Sequence, residues 1–362
     1  MENDRGRDQK DLADERVPSL ETAPHISDRS KVIRWGVLGV AKIATAKVIP
    51  AMQRAQHCQV VAIASRDAGK AEDAAARLGI PRAYGSYEAL LEDPGIDAIY
   101  NPLPNHLHVP WTIRAAEAGK HILCEKPIAL NAAEARTLLD VRNRTGVWIQ
   151  EAFMIRTHPQ WIRARALVDE GRLGEVRAIS GFFSYYQTDR LNVRNVPEYG
   201  GGGLLDIGCY LVNTSRFIFN SEPSRIAGTV DRDPSTGVDR LASMLLDFDG
   251  RHAIGTCSTQ VLYYQRIQIV GTQGRIEIEI PFNAPADGIT RVFLDSTGEL
   301  AGSGIETIAI DRCDQFTLQA EEFSTAILEN RPQRVPLEDA VANMACIDAV
   351  FRSAESGRWE TP

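Results

Sequence analysis

No apolar run in this sequence approaches the roughly 18 residues that a membrane-spanning helix needs, so a helical membrane protein is excluded. Excess positive charge is missing too: 40 Lys and Arg stand against 48 Asp and Glu, a net charge of -8, which offers little to a phosphate backbone and argues against a nucleic-acid partner. The six cysteines, Cys58, Cys124, Cys209, Cys257, Cys313 and Cys346, form no Cys-x-x-Cys pair and have no histidine at metal spacing. Neither a disulfide scaffold nor a zinc site is expected, no metal is assigned, and the cysteines read as reduced core residues. The N-terminal stretch alternates charges without an apolar h-region, which excludes a secretory signal and leaves a cytoplasmic location. Internal repeats and low-complexity tracts are also absent.

What the chain has is length and a change of rhythm. Its 362 residues are enough for two or three domains with buried cores. Residues 1–31 carry too little apolar surface to fold alone and read as a flexible leader or docking arm. Strand-sized apolar runs at 32–37, 60–64, 98–100, 121–124 and 147–150 alternate with alanine-rich helical spacing at 70–78, 109–118 and 132–143. This alternation predicts βαβ units and an α/β Rossmann domain, a doubly wound parallel sheet over 32–152. After about Gly174, long strands follow one another at 175–186, 240–248, 252–258, 266–270 and 275–280. They predict a C-terminal α+β domain, 153–336, with a large, open, mostly antiparallel sheet. Helices at 315–328 and 337–353 either cover that sheet or return to the first domain, and 337–362 is set apart as a closing segment.

The first strand ends in Gly39-x-Ala41-x-x-Ala44, a small-residue variant of the dinucleotide fingerprint. Small side chains let the backbone of Gly39, Ala41, Lys42 and Ile43 turn tightly beside a pyrophosphate, whose charge meets the amides of the following helix. The second strand ends in Ser65-Arg66-Asp67, with Lys70 one turn on. An acid at this place binds ribose hydroxyls, whereas a hydroxyl and a guanidinium suit a 2′-phosphate, so NADP is favoured and NAD stays open. Asp67 reads equally as a helix N-cap.

Three further motifs carry a family likeness: Asn101-Pro102-Leu103-Pro104-Asn105-x-x-His108, Glu125-Lys126-Pro127, and Gly203-x-x-Asp206-Ile207-Gly208-x-Tyr210. In order and spacing they resemble the glucose-fructose oxidoreductase / inositol dehydrogenase (Gfo/Idh/MocA) family, in its sugar-oxidoreductase and dihydrodiol-dehydrogenase-like subgroup. The resemblance spans about residues 32–360. It implies reversible hydride transfer between a nicotinamide and a sugar or related polyol, in a homodimer or homotetramer. It places Pro102, Leu103, Asn105, His108, Glu125 and Lys126 at the cofactor, and it implies a cis Lys126-Pro127 peptide. Lys126, Tyr210 and Asp206 become the catalytic group. Glu151 and Arg156, in Glu151-Ala152-Phe153-Met154-Ile155-Arg156, join them at the substrate.

A phenol ordinarily titrates near pH 10, so acid/base work by Tyr210 calls for a neighbouring cation such as Lys126. Asp206, four residues earlier, either binds substrate hydroxyls or pairs with an arginine, and His158-Pro159 begins a helix. Tyr185, Tyr186 and the polar loop at 187–199 either line a sugar pocket or form a surface crossover. A family enzyme with tightly held cofactor is the second functional reading. A non-catalytic sugar or cofactor sensor is the third, and it needs neither Lys126 nor Tyr210.

Overall fold

The computed structural model describes residues 32–362; the expected leader or arm lies outside them. The chain opens with β1 (Ile33–Leu38), a π-helical turn (Ala44–Val48) running into α1 (Ile49–Arg54), β2 (Cys58–Ala64), α2 (Ala68–Leu78), β3 (Arg82–Tyr84) and α3 (Tyr87–Leu91). β4 (Ala98–Asn101), α4 (His108–Glu117), β5 (His121–Cys124), α5 (Ala132–Thr145) and β6 (Ile149–Glu151) complete a parallel sheet of order β3-β2-β1-β4-β5-β6. That is the doubly wound Rossmann order. The strands are buried on both faces, which is why they read as continuous apolar runs rather than alternations. Local chemistry sets the helix ends. Asp67 caps α2 by accepting from the Lys70 amide, Asn131 caps α5 by accepting from Glu134, and Gly79 and Gly146 close those helices in the left-handed region.

The second half holds α6 (Pro159–Asp169), β7 (Val176–Tyr186), α7 (Cys209–Phe219), β8 (Arg225–Arg232), β9 (Asp239–Asp247), β10 (His252–Ser258), β11 (Gln260–Gly271), β12 (Arg275–Ile278), β13 (Thr290–Asp295), β14 (Glu306–Ile310), α8 (Gln315–Leu328) and α9 (Leu337–Ser356). Its eight-stranded sheet has the order β14-β13-β12-β11-β7-β10-β9-β8, antiparallel except where β7 meets β10. The short β3 and the strands β8, β13 and β14 went unread in the sequence, and β11 begins six residues before its apolar stretch.

The two halves interlock. α8 returns to the first sheet, where Trp35 donates to Ser324 Oγ at 3.2 Å and its ring lies 5.7 Å from that of Phe323. α9 packs against both α5 and β8. The carboxyl ends of β1, β2, β4 and β5 therefore share one edge, which faces the end of β7 and the helix beginning at Leu204.

Candidate active site

At the first strand–helix turn, Gly39 has φ of +83°, and a Cβ there would stand 3.0 Å from Leu103 Cδ2. The turn is a close-approach cradle that a side chain would fill, as a pyrophosphate site requires. The amide of Gly39 donates to Ala64 O at 2.7 Å, tying the turn to the end of β2. There Ser65 is buried and Arg66 is exposed. Burial pushes the Tyr87 phenol up, and the adjacent Arg66 guanidinium partly offsets that. A Cβ on Gly39 would also lie 3.6 Å from the Tyr87 hydroxyl, so Arg66, Tyr87, Leu103 and the turn converge. Ala41, Lys42 and Ile43 run from the turn into the helix, and Lys42 is exposed at its start. Lys70 sits 3.8 Å from the capping Asp67, both largely in solvent. These groups fit a dinucleotide, and the cation at Arg66 fits a 2′-phosphate.

Lys126 projects from the carboxyl end of β5, beside a cis Lys126–Pro127 peptide, as the resemblance implies. Its ammonium donates to Asp206 O at 2.6 Å and Asp206 Oδ1 at 3.1 Å. The other carboxylate oxygen, Oδ2, accepts from Tyr185 Oη at 2.5 Å and from Arg194 Nε at 3.0 Å. Burial alone would pull Lys126 down, but the Asp206 charge outweighs it and the net shift is upward. Burial likewise favours the neutral form of Asp206, yet Lys126 and Arg194 hold it well below the usual carboxylate range. The pair therefore stays ionised. Glu125, half-buried, is pushed up by burial and accepts from Tyr100 Oη at 2.6 Å.

Tyr210 is 5% exposed. Its ring, not its hydroxyl, meets Lys126, with Nζ 5.2 Å from the centroid, and the hydroxyl points to Met154 Sδ at 3.4 Å. Burial raises the phenol, and Lys126 only partly counters it. The neighbouring cation does not outweigh burial, so the neutral phenol is favoured. The proton is instead held by a thioether, a weak acceptor that a substrate oxygen would outbid.

Several motif residues face away from the cleft. His108 is 1% exposed, with Nδ1 2.7 Å from Pro127 O and Nε2 2.7 Å from Leu103 O. Burial pushes it down to about 4, and it ties two loops together rather than reaching a cofactor. Asn105 donates across the cleft to Gly200 O at 2.9 Å, beside the stacked rings of His106 and Tyr199. Arg156 is engaged by Asp339 at 3.2 Å and lies over the Phe217 ring, between α7 and α9, so its guanidinium is already paired within the protein. Tyr186 is 69% exposed and leaves the site, whereas Tyr185 enters it. Arg194 was legible only as part of a polar loop.

Glu151, 2% exposed, points inward and accepts from the Ile128 amide at 2.8 Å, holding the turn after Pro127. Burial pushes its carboxyl up from 4.5 to about 8. The folded chain thus binds this proton more tightly than the unfolded chain. The associated stability is full below pH 4.5 and is lost as pH rises through about 8. Glu151→Gln, which cannot ionise, should melt higher than wild type above that pH, by a few kcal/mol at most. The gap should close in acid. Equal melting temperatures at alkaline pH would mean that Glu151 ionises without cost.

Residues 33–153 match the oxidoreductase family described as having an NAD-binding Rossmann fold, and residues 161–277 match the GFO/IDH/MocA C-terminal domain. The chain belongs to the Gfo/Idh/MocA oxidoreductase family. A D-xylose 1-dehydrogenase (NADP(+)) of Haloferax volcanii is 38% identical to this family member, over 89% of this chain and 98% of its own. Among solved structures, a 3-ketoreductase from Actinomadura kijaniata in complex with NADP and TDP-benzene superposes with a TM-score of 0.83 at 30% identity, covering 89% of this chain and 98% of that one. An aldose-aldose oxidoreductase from Caulobacter crescentus complexed with glycerol also gives 0.83, at 26% identity and 91% and 100% coverage. This Gfo/Idh/MocA chain is accordingly an oxidoreductase with a nicotinamide-dinucleotide domain and sugar-acting relatives.

Proposed function

We propose that the protein is a cytoplasmic, NADP-preferring oxidoreductase acting on an aldose or related carbohydrate. The observation that carries this reading is the Lys126–Asp206 ion pair at the carboxyl edge of the parallel sheet, the same edge that holds the Gly39 turn two strands away. Residues 32–152 would bind the nucleotide and 153–336 the substrate, with 337–362 closing the two together. Hydride exchange at the nicotinamide C4 is the chemistry that NADP supplies when bound. Lys126 holds and polarises the reacting oxygen, Asp206 fixes Lys126, and Tyr210 gives its proton to the oxygen in the reducing direction. The ketoreductase has been solved as variants at one lysine and one tyrosine, whose separation equals that of Lys126 and Tyr210, which supports this pairing.

Both Lys126 and Tyr210 hold their protons through neutrality, which suits them to supply a proton to the reacting oxygen in the reducing direction. A screen of aldoses, ketoses and related polyols in both directions, with NADP and NAD, tests the reading. Inactivity on every carbohydrate would remove the substrate class. Turnover without added nucleotide would favour the second reading, a family enzyme with tightly held cofactor. The outer face of the eight-stranded sheet exposes Leu241, Ile254 and Tyr264, and the homodimer or homotetramer expectation is assigned to it; a monomeric mass in solution would remove that assignment.

Cofactor choice is separable. Arg66→Ala is expected to weaken NADP at least tenfold while leaving NAD nearly unchanged, since a charge-assisted contact contributes about 1.5–3 kcal/mol before solvent screening of this exposed side chain. Titration of both nucleotides checks it, and equal losses would take the 2′-phosphate role from Arg66.

A further inference from the structure

The helix carrying Asp206 and Tyr210 is continuous from Leu204 to Phe219 and begins directly after Gly201, Gly202 and Gly203. Its first amide is not left to water. Leu204 N donates to Asp239 Oδ2 at 2.5 Å, and Asp239, the first residue of β9, is 2% exposed. The second carboxylate oxygen lies against Gly202, where φ is +118° and any Cβ would collide with Asp239 Oδ1. A Cβ on Gly203 would stand 3.5 Å from Asp239 Oδ2. The glycine run is thus shaped around this carboxylate, which comes from a different element more than thirty residues downstream.

A negative charge at the positive end of a helix stabilises its first turn, and a short bond to the first amide fixes where that turn starts. The start matters because Lys126 is fixed independently on β5. A slip at Leu204 would move Asp206, two residues on, relative to the ammonium it holds at 3.1 Å.

We propose that Asp239 is a positioning residue for the reaction: its buried carboxylate, seated on Gly202 and bonded to the Leu204 amide, sets Asp206 and Tyr210 against Lys126. This rests on the functional reading above, in which those three residues act on the substrate. The groups facing Asp239 are the Gly203 and Leu204 amides, Arg232 from β8 and the Cys257 thiol from β10. Burial pushes its carboxyl up to about 7, against the pull of the Leu204 amide. The charged form, which makes the stronger bond, therefore grows in through neutrality. Part of the pH dependence of kcat is expected to follow it.

The test uses the full chain with its carbohydrate and NADP. Asp239→Asn keeps the shape and removes the charge. It is expected to lower kcat about tenfold or more at alkaline pH, to leave NADP binding unchanged, and to abolish the inflection near neutrality in a profile from about pH 5 to about pH 9. Asp239→Ser, which offers a hydroxyl acceptor, is the second variant and is expected to do the same. A lower melting temperature with wild-type kcat and an unchanged pH profile would make Asp239 merely structural and overturn the proposal. If neither variant folds, hydrogen exchange at the Leu204 amide of the wild type decides: protection that rises through neutrality supports the proposal, and protection independent of pH overturns it. Failure of the functional reading shows elsewhere, as full turnover in a Lys126→Met variant.

Discussion

Lys126→Met is expected to lower kcat by about 10²- to 10⁴-fold, the usual contribution of a positioned acid/base or polarising group. Methionine fills nearly the same volume, so the packing over the Tyr210 ring survives while the ammonium is lost. Asp206 would still accept from Tyr185 at 2.5 Å and Arg194 at 3.0 Å, so the variant does not leave an orphaned buried carboxylate and should fold. The phosphates are assigned to the Gly39 turn and Arg66 rather than to Lys126, so NADP affinity should stay within about tenfold. Tyr210→Phe should behave in the same direction with a smaller loss, because Lys126 continues to polarise the oxygen. Steady-state kinetics and nucleotide titration on the same preparations separate the two effects. Wild-type kcat in Lys126→Met would remove the lysine from the chemistry, and a parallel collapse of NADP binding would recast it as a cofactor ligand.

The parts of this site that were legible in the sequence are those whose chemistry is local. Gly39 follows a buried strand and precedes a helix, and Lys126 sits between Glu125 and Pro127 at a strand end, so neighbouring residues announce them. A motif marks a position without saying which way its side chain turns. His108, Glu151 and Arg156 stand inside the motifs, yet they face the protein interior, where they secure Leu103 and Pro127, Ile128, and Asp339. The opposite case is Asp239, which no local pattern distinguishes from the chain's other acids. Only the pairing of β9 beside the glycine run brings it to Leu204. Tyr185 and Arg194 lie between these extremes, because a polar loop after a long strand suggests a pocket but does not choose its side chains. In the fold, long buried strands were readable, while β3, with three half-buried residues, and β14, a mostly exposed edge, carry too little apolar signal.

The strongest electrostatic consequence falls on Asp206, whose carboxylate receives three donors from three elements: Lys126 after β5, Tyr185 on β7 and Arg194 in the loop beyond it. Asp206→Asn keeps the size but can accept fewer of them, and its amide nitrogen must face a donor. Two cations then share a largely buried site without their anion. Removing one partner of a buried pair costs up to about 3–5 kcal/mol, reduced here because Arg194 is half-exposed and can turn to water. Lys126 cannot turn, since its side chain is only 12% exposed. With Asp206 neutral, burial and the Arg194 charge both push the ammonium toward losing its proton, so its titration should descend toward neutrality. The expected result is a loss of kcat of about 10²-fold at neutral pH, partly recovered in acid where Lys126 is protonated again. A pH–rate profile measured beside thermal melting checks this. Wild-type turnover with an unshifted profile would mean that the carboxylate neither fixes Lys126 nor sets its charge. Uniform loss at every pH would assign Asp206 to direct contact with the substrate hydroxyls.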